Sequence, residues 1–451
     1  MKSLLIKNLF LIIILSVTLY SCISNNNDTS VSDDATITKF YINSNDSSPD
    51  ANDAVFTINN TTRVIENTDS LPYKTRIDSL IPSVYFTSSS GFIINDTLTY
   101  GSYSSIEALD FTKPIKITNV ASDGTTKLDY TIKLNVHKVD PYLYVWTKFT
   151  DKIINTAYEN QKAIYYKDKC YFFTGSGVTN FVSNSTDAKT WETTQITTLP
   201  SNVEFQNIDT LKNEICLLSG DKVYSSTTGN NWTEKSTNSV YTYKVLLCNY
   251  NNKLYAVAQN KSTSTYSIIY SADGVTWNES TPLPNNFPVS GFAASTFKPK
   301  YGSQKMIVVG GYNTNGVKLN TRWTTEDGNY WVNLQGSKSP FDATSYGAIT
   351  YYGSRLLLIG GTKTAGDESL LDPAKQIRNS LDEGLTWNRA DTTQIYPPTE
   401  FKFRKNASVV INPKNHDMYI IGGSSNLNVL SDVWKVKVNY YNFKESEWSK
   451  Y

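Results

Sequence analysis

Tryptophans recur along the last two-thirds of this 451-residue chain, each at the end of a similar segment. The six recurring residues are Trp191, Trp232, Trp277, Trp331, Trp387 and Trp448. Their spacing grows from 41 residues between the first two to 61 residues between the last two. Repeats of roughly 40–50 residues with strand-like content are typical of β-propellers, in which each repeat forms one blade. The repeat therefore predicts an all-β fold whose main part is a six-bladed β-propeller.

Four of these tryptophans end a short motif in which Asp stands two residues after Ser or Thr. The motifs read STDAKTW, SADGVTW, TEDGNYW and SLDEGLTW, and their aspartates are Asp187, Asp273, Asp327 and Asp382. A fifth motif, STTGNNW, has Thr228 where the others have Asp. The motif resembles the Asp-box repeat found in sialidases and in many unrelated propellers. This resemblance implies that each motif folds the hairpin between the third and fourth strands of a blade.

The chemistry of the motif favours a structural role for its residues over a catalytic or metal-binding one. An Asp side chain accepts backbone N–H bonds within a tight turn, where a glycine can adopt a positive φ. The tryptophan buries a large ring. One Asp per blade, spread around a ring, cannot converge on one substrate. We therefore interpret the four aspartates as structural, together with Gly274, Gly328, Gly384, Trp191, Trp232, Trp277, Trp331 and Trp387.

The last three repeats carry a second pattern that also predicts a propeller. Gly-Gly pairs at 310–311, 360–361 and 422–423 each follow an apolar run, and SDVW at 431–434 replaces the Asp motif of the last repeat. Gly-Gly followed by Asp-Val-Trp resembles kelch repeats. Residues 142–149 (YLYVWTKF) are similar to the tails of the other repeats. We expect them to pair with the last repeat, because joining both chain ends in one blade removes an open edge.

The N-terminus carries a targeting signal. A basic start leads into the apolar run 9–19, which is too short to span a bilayer comfortably. The run ends in Leu-Tyr-Ser-Cys, which resembles the bacterial lipobox, although Tyr20 is bulkier than that pattern usually has. The resemblance implies a signal peptide over 1–21, an acylated Cys22 and a disordered tether over 22–34. The protein would then be an outer-membrane lipoprotein, at the cell surface or facing the periplasm; the alternative is an ordinary signal peptide with a chance cysteine.

Residues 35–139 differ from the repeats that follow them. They contain no tryptophan, and short alternating runs such as TIKLNV at 131–136 predict strands. A region of about 100 residues with several such strands suggests an immunoglobulin-like β-sandwich. With the propeller assigned to 140–451, the chain resembles uncharacterised Bacteroidota lipoproteins in which a sandwich domain of unknown function precedes an Asp-box/kelch-like propeller. That family brings no known activity with it.

Composition excludes several classes of function. Lys and Arg number 42 against 41 Asp and Glu, so no basic field favours nucleic acid. The two histidines, His137 and His416, are too few for a copper oxidase or a typical zinc site, and we expect no metal or cofactor. Sialidases need an arginine cluster beginning in the first blade, which this propeller lacks.

The cysteines after Cys22 are odd in number and lie in apolar runs, which favours buried free thiols over a Cys216–Cys248 bridge.

These exclusions leave a non-catalytic, monomeric binding or scaffolding lipoprotein whose partner is an extracellular protein or glycan. The alternative is a glycoside hydrolase with a sialidase-like fold. Such an enzyme needs two carboxylates, and no spacing in the sequence identifies the pair. In a propeller, the loops between the second and third strands share a face with the loops between blades, opposite the Asp motifs. Tyr and Arg are favoured anchors in interfaces. The candidate ligand face therefore contains Tyr312, Asn313, Tyr346, Tyr396, Phe403 and Arg404.

Overall fold

The computed structural model describes residues 31–43, 48–237, 240–334, 341–363, 369–426 and 428–451. The predicted signal peptide, Cys22 and most of the predicted tether lie outside these residues. The chain divides into two compact units between Val139 and Asp140. Among the described residues, no helix is long and apolar enough to cross a membrane.

The N-terminal domain is built from eight described strands in two sheets. Six strands form a mixed sheet in the order β2, β3, β8, β7, β5, β6, and β3 runs parallel to β8. The remaining two, β1 and β4, pair antiparallel. A 3₁₀ helix spans Pro49–Asp53. The strands are β1 (Ile37–Asn43), β2 (Phe56–Asn59), β3 (Val64–Asn67), β4 (Ile81–Phe86), β5 (Gly91–Ile94), β6 (Leu98–Gly101), β7 (Ile115–Val120) and β8 (Lys127–Lys133).

One apolar core joins the two sheets of this domain. It contains Phe40 from β1, Ile65 from β3, Phe92 from β5 and Ile132 from β8, each at most 5% exposed. The strands are divided six to two, whereas an immunoglobulin domain divides its strands more evenly between two sheets. The immunoglobulin-like assignment therefore stays a prediction.

The propeller domain contains six four-stranded antiparallel sheets in the described part of the chain, here numbered as blades 1 to 6. Blade 1 consists of β10 (Asn160–Tyr166), β11 (Lys169–Gly175), β12 (Asn180–Ser185) and β13 (Glu192–Ile196). Blade 2 consists of β14 (Ile208–Leu211), β15 (Glu214–Ser219), β16 (Lys222–Ser226) and β17 (Thr233–Lys235). Blade 3 consists of β18 (Tyr241–Tyr250), β19 (Lys253–Asn260), β20 (Tyr266–Ser271) and β21 (Asn278–Pro282).

The other three blades follow the same order of strands. Blade 4 consists of β22 (Ala293–Phe297), β23 (Lys305–Val309), β24 (Arg322–Thr325) and β25 (Val332–Asn333). Blade 5 consists of β26 (Ala348–Tyr352), β27 (Arg355–Ile359), β28 (Ile377–Ser380) and β29 (Asn388–Arg389). Blade 6 consists of β30 (Ser408–Ile411), β31 (Met418–Ser425), β32 (Asn428–Val438) and β9 (Tyr144–Thr150). Short 3₁₀ helices span Phe205–Asn207, Pro373–Lys375, Asn439–Asn442 and Glu445–Lys450.

Packing between neighbouring blades explains why the second strands are almost wholly apolar. The run Leu356 to Ile359 in β27 is at most 3% exposed, because both faces of the strand meet another blade. One core cluster joins Phe173 of blade 1 to Ile215 and Leu217 of blade 2 through Phe205. The prediction of an all-β propeller is confirmed.

The ring is closed by a strand from the start of the domain. β9 pairs antiparallel with β32, and its register places Tyr144 opposite Val438 and Trp146 opposite Val436. Tyr144 is buried, and its hydroxyl donates to the carbonyl oxygen of Tyr352 at 3.1 Å. Indole Nε1 of Trp146 donates to the carbonyl oxygen of Ile395 at 3.0 Å. The predicted pairing of residues 142–149 with the last repeat is therefore present.

The first Gly-Gly pair lies where two blades crowd together. Gly310 and Gly311 have φ angles of 65° and 88°. A Cβ on Gly310 would stand 2.3 Å from the carbonyl oxygen of Thr344, and one on Gly311 would stand 2.6 Å from that of Ser290. Both positions need glycine, because a side chain would meet backbone that cannot move aside.

Trp448 does not close a blade, contrary to the sequence prediction. It lies in the C-terminal 3₁₀ helix, with its ring centroid 4.9 Å from that of His416 and 5.1 Å from that of Tyr441. The fourth strand of blade 6 is β9, so the chain after β32 forms no hairpin that could carry an Asp motif.

The prediction about the cysteines is confirmed, since Cys170, Cys216 and Cys248 are free and buried.

Candidate ligand-binding site

The Asp motifs form closed turns at the ends of the third strands. In the first, Oδ1 of Asp187 accepts the backbone N–H groups of Lys189 and Thr190, both at 2.8 Å, and the hydroxyl of Ser185 at 2.9 Å. The N–H groups of Thr190 and Lys189 lower the pKa of Asp187 to about 2. A carboxylate held this way is ionised, and it accepts hydrogen bonds from groups of its own turn. These bonds are consistent with a structural role for Asp187.

The other motifs repeat these contacts. Asp273, Asp327 and Asp382 each accept at least one backbone N–H bond at 2.7–2.8 Å from within their own turn. Where Thr228 replaces Asp, the hydroxyl of Ser226 accepts the N–H of Gly229 at 2.8 Å. The described aspartates thus stabilise separate hairpins. Tryptophan N–H groups donate within the same turns in three motifs, those of Trp191, Trp232 and Trp387.

Two predicted ligand-face residues lie together at the opposite end of the blades. The rings of Tyr312 and Tyr346 have centroids 5.9 Å apart, and the hydroxyls of Tyr312 and Ser345 are 3.0 Å apart. Gly291 lies against both rings, and a Cβ there would come within 3.1–3.2 Å of them. Tyr312 follows the second strand of blade 4, and Tyr346 precedes the first strand of blade 5. Two of the six residues predicted for the ligand face therefore form a tyrosine pair at this end of the blades.

This tyrosine pair forms one side of a groove across blades 3 and 4. The groove is also lined by Lys244, Tyr266, Ser290 and Asn313, and it has a volume of about 380 Å³. Lys244 and Tyr266 also line an adjoining hollow of about 410 Å³, which continues the groove towards blade 2. The hollow adds hydroxyl, amide and carboxylate groups from Asn202, Glu204, Thr242 and Gln259. Lys244 is exposed and has no ion pair in the described part of the chain.

The sequence prediction included Tyr312, Asn313 and Tyr346 but missed Lys244 and Tyr266. Lys244 lies near the start of β18, and Tyr266 is the first residue of β20. Both positions are at strand ends on the ligand face. The strand boundaries, and not a motif, are the signal that would have pointed to them.

The first strands of all six blades surround a central channel. The channel has a volume of about 510 Å³, and its lining includes Tyr346, so it adjoins the groove. Small residues leave it open, among them Ala293, Gly347, Ala348 and Ala407. Polar groups in its lining include Glu159, Asn249, Ser295, Thr350 and Asn406.

Charged groups inside the channel come from blades 1 and 2. Asp209 accepts the N–H of Thr210 at 2.7 Å and the N–H of Asn249 at 2.8 Å. Burial raises the pKa of Asp209, and these two N–H groups oppose that rise. Burial lowers the pKa of Lys162, and the charge of Asp209 opposes that effect. Cys248 lies near both groups, and burial keeps its thiol protonated by raising its pKa well above the ordinary value.

Arg404 is not a ligand-face residue, contrary to the sequence prediction. It is 1% exposed, and its guanidinium forms hydrogen bonds of 2.5 Å and 3.1 Å with the two carboxylate oxygens of Asp432. It also donates to the carbonyl oxygens of Gly422 and Lys402 and lies 4.4 Å from the ring centroid of Phe401. A guanidinium with this many buried partners holds blade 6 together and cannot reach a ligand.

Tyr396 and Phe403 lie away from the groove, between blades 5 and 6. Their ring centroids are 5.8 Å apart, and the hydroxyl of Tyr396 donates to the carbonyl oxygen of Pro373. Phe403 packs partly buried against the core cluster of blades 5 and 6. The structure therefore does not bring these two residues together with Tyr312 and Tyr346.

Among the described residues, no group of three His, Cys, Asp or Glu side chains could hold a metal ion.

Two family models match the chain. The DUF6242 beta propeller domain matches residues 140–446, and the N-terminal domain of the same family, described as a domain of unknown function, matches residues 23–134. No curated protein matches. Solved structures with a similar fold include that of YjhT, at 14% identity and a TM-score of 0.47, covering 63% of this chain and 97% of that chain. Another is the Hadza microbial sialidase Hz136, at 12% identity and a TM-score of 0.40, covering 75% of this chain and 78% of that chain. Neither likeness assigns an activity to this chain.

Proposed function

The chain belongs to the DUF6242 family, whose domain descriptions name no activity, and we propose from its geometry that the propeller binds an extracellular glycan without cleaving it. The observation that carries this proposal is the groove lined by Tyr266, Tyr312 and Tyr346, which continues into the central channel. Aromatic faces offer an apolar surface to sugar rings. The hydroxyl, amide and charged groups around them supply the few placed polar contacts that fix a ligand's orientation.

The proposed ligand is a glycan rather than a protein because of the groove's lining. A protein partner is usually anchored by side chains that fill desolvated apolar pockets. The described lining contains instead hydroxyl and amide side chains beside the tyrosines, such as Ser290, Asn313 and Gln259. Such side chains match the hydroxyl groups of a sugar.

A non-catalytic role is favoured by the state of the channel carboxylates. Hydrolysis of a glycoside needs two carboxyl groups that are free to exchange protons or attack. Both carboxylate oxygens of Asp209 already accept backbone N–H bonds, one from Thr210 in the same strand and one from Asn249 in blade 3. A glycoside hydrolase remains the second candidate, because Glu159 lines the same channel and burial raises the pKa of Asp209, as a general acid requires.

We expect Tyr346→Ala to weaken glycan binding by about 30-fold or more, since an aromatic anchor carries about 2 kcal/mol or more. The chain from residue 23 onwards would be screened on a glycan array, and affinities for the bound glycans would be measured by calorimetry. Tyr330→Ala is the matched control, because Tyr330 is 81% exposed in an Asp-motif turn on the opposite face.

Two results would contradict the proposal. Equal affinities for wild type and Tyr346→Ala, with both proteins folded, would remove the groove as the binding site. Release of reducing ends from a bound glycan, abolished by Asp209→Asn or Glu159→Gln, would establish the hydrolase instead.

The membrane anchor is a further part of the proposed function. An acylated Cys22 would hold the propeller at the membrane, and more than one acyl chain is needed for stable anchoring. We expect Cys22→Ser to move the protein from the membrane fraction to the soluble fraction. Acyl mass on the mature N-terminus would be measured in parallel. Unchanged fractionation with no acyl mass would rule out the anchor.

A further inference from the structure

We propose that the glycan bound by this propeller carries an acidic end group, a carboxylate or a sulfate ester, which enters the central channel and pairs with Lys162. This inference rests on the proposed function and names the chemistry of its ligand.

Lys162 lies on the wall of the channel, near the end of β10 that begins at the ligand face. Lys162 is the third residue of β10, which begins at the ligand face. The carbonyl oxygen of the preceding residue, Gln161, accepts a hydrogen bond of 2.8 Å from the side chain of Gln206, which lies before the first strand of blade 2. Both Lys162 and Gln206 line the channel. A ligand group inside the channel can therefore reach Lys162.

Lys162 is half-buried and lacks the partners that an ammonium inside a protein normally has. In the described part of the chain it takes part in no hydrogen bond and no salt bridge. Buried charges are ordinarily paired, because removing an unpaired charge from water is costly. The nearby carboxylate of Asp209 is already bonded to two backbone N–H groups, and the nearby thiol of Cys248 is uncharged. The channel thus holds a cation whose hydrogen-bonding capacity is unused.

The space around Lys162 suits a ligand's end group. Small residues from blades 4, 5 and 6 line the channel, including Ala293, Gly347, Ala348 and Ala407. Hydroxyl and amide groups from Ser295, Thr350 and Asn406 line the same space and can bond a sugar's remaining oxygens. Tyr346 belongs to both the channel and the groove. A chain of sugars lying along the tyrosines would therefore direct one end into the channel.

The test measures thermal stabilisation of the full mature chain by small acidic sugars. We expect sodium glucuronate or glucose 6-sulfate to raise the melting temperature saturably, because a ligand that binds only the folded state stabilises it. The uncharged methyl ester of glucuronate should have a much smaller effect. Lys162→Met should weaken the binding of the acidic sugar by about 10–100-fold, the loss expected for a hydrogen bond to a charged group. The methionine fills similar volume, so the variant should fold.

Lys167→Met is the matched control, since Lys167 lies in the same blade on the turn between β10 and β11 and the change in net charge is identical. Its binding of acidic sugars should equal that of the wild type. A response to glucuronate identifies a carboxylate, and a response to glucose 6-sulfate alone identifies a sulfate ester. No saturable shift with either sugar, or equal shifts in wild type and Lys162→Met, would overturn the inference. Stronger stabilisation by tri-aspartate than by either sugar would overturn the glycan assignment.

The glycan array separates this inference from the proposed function. Neutral glycans bound equally by wild type and Lys162→Met, but more weakly by Tyr346→Ala, would uphold groove binding and overturn the acidic end group. Bound glycans that are acidic, and that Lys162→Met no longer retains, would uphold both.

Discussion

A chain that begins at Lys152 should fail to form a folded propeller, whereas a chain that begins at Asp140 should form one. The two truncations differ by little more than β9, the outer strand of blade 6. Losing it removes the antiparallel ladder with β32 from Tyr144 to Thr150. It also exposes the edge of β32, which becomes open to pairing with another chain.

The size of the loss explains why we expect unfolding rather than weakening. Tyr144 is buried, and the ring centroid of Trp146 lies 5.1 Å from that of Phe401. Removing one buried aromatic side chain typically costs about 3–5 kcal/mol. That loss, together with the packing of the half-buried Trp146 and the ladder, approaches the whole stability of a typical domain, about 5–15 kcal/mol. Thermal unfolding followed by circular dichroism would measure the effect, and equally cooperative melting of both truncations would show that β9 does not close the ring.

Arg404→Met should lower the free energy of unfolding by about 3–5 kcal/mol, although the side chain lies among loop residues. The reason is the partner left behind. Asp432 would keep its buried negative charge and lose its two bonds to the guanidinium, leaving the indole N–H of Trp434 at 2.9 Å as a remaining donor. Breaking one side of a buried ion pair has this cost because the other charge stays desolvated.

Urea denaturation of Arg404→Met and of two comparison variants would test this role. Arg389→Met is the matched control, since Arg389 is exposed and its loss should change stability by no more than about 0.5 kcal/mol. The double variant Arg404→Met with Asp432→Leu should recover much of the loss, because it removes both charges. A stable Arg404→Met protein with weakened glycan binding would restore Arg404 to the ligand face.

The parts of the fold that could be predicted from the sequence are those whose causes are local. Every partner of the Asp187 carboxylate lies within three residues of it, so the turn can be recognised in the motif itself. The Gly-Gly pairs could be recognised for a related reason. Their positive φ angles are ones that other residues rarely adopt. A Gly-Gly pair therefore recurs in each blade where the backbone takes this conformation.

The parts that could not be predicted depend on distant residues. Arg404 and Asp432 are 28 positions apart in the sequence, and the residues adjacent to each of them do not indicate an ion pair. An arginine that follows two phenylalanines, Phe401 and Phe403, suits an exposed anchor and a buried structural pair equally well. Lys162 and Asp209 belong to different blades, and only the closed ring brings them into one channel. The sequence therefore predicted the face that carries the groove, but not the charges inside it.

The seam in blade 6 has a consequence for the order of assembly during synthesis. β9 is among the first segments of the propeller to leave the ribosome, yet its partner β32 is among the last. Blades 1 to 5 can each form from contiguous chain as they emerge, whereas blade 6 must wait for almost the entire domain. Until then β9 remains an unpaired nascent strand, and such long-range pairing is slow to form. Completion of the ring is thus a late event, set by the chain's C-terminal end.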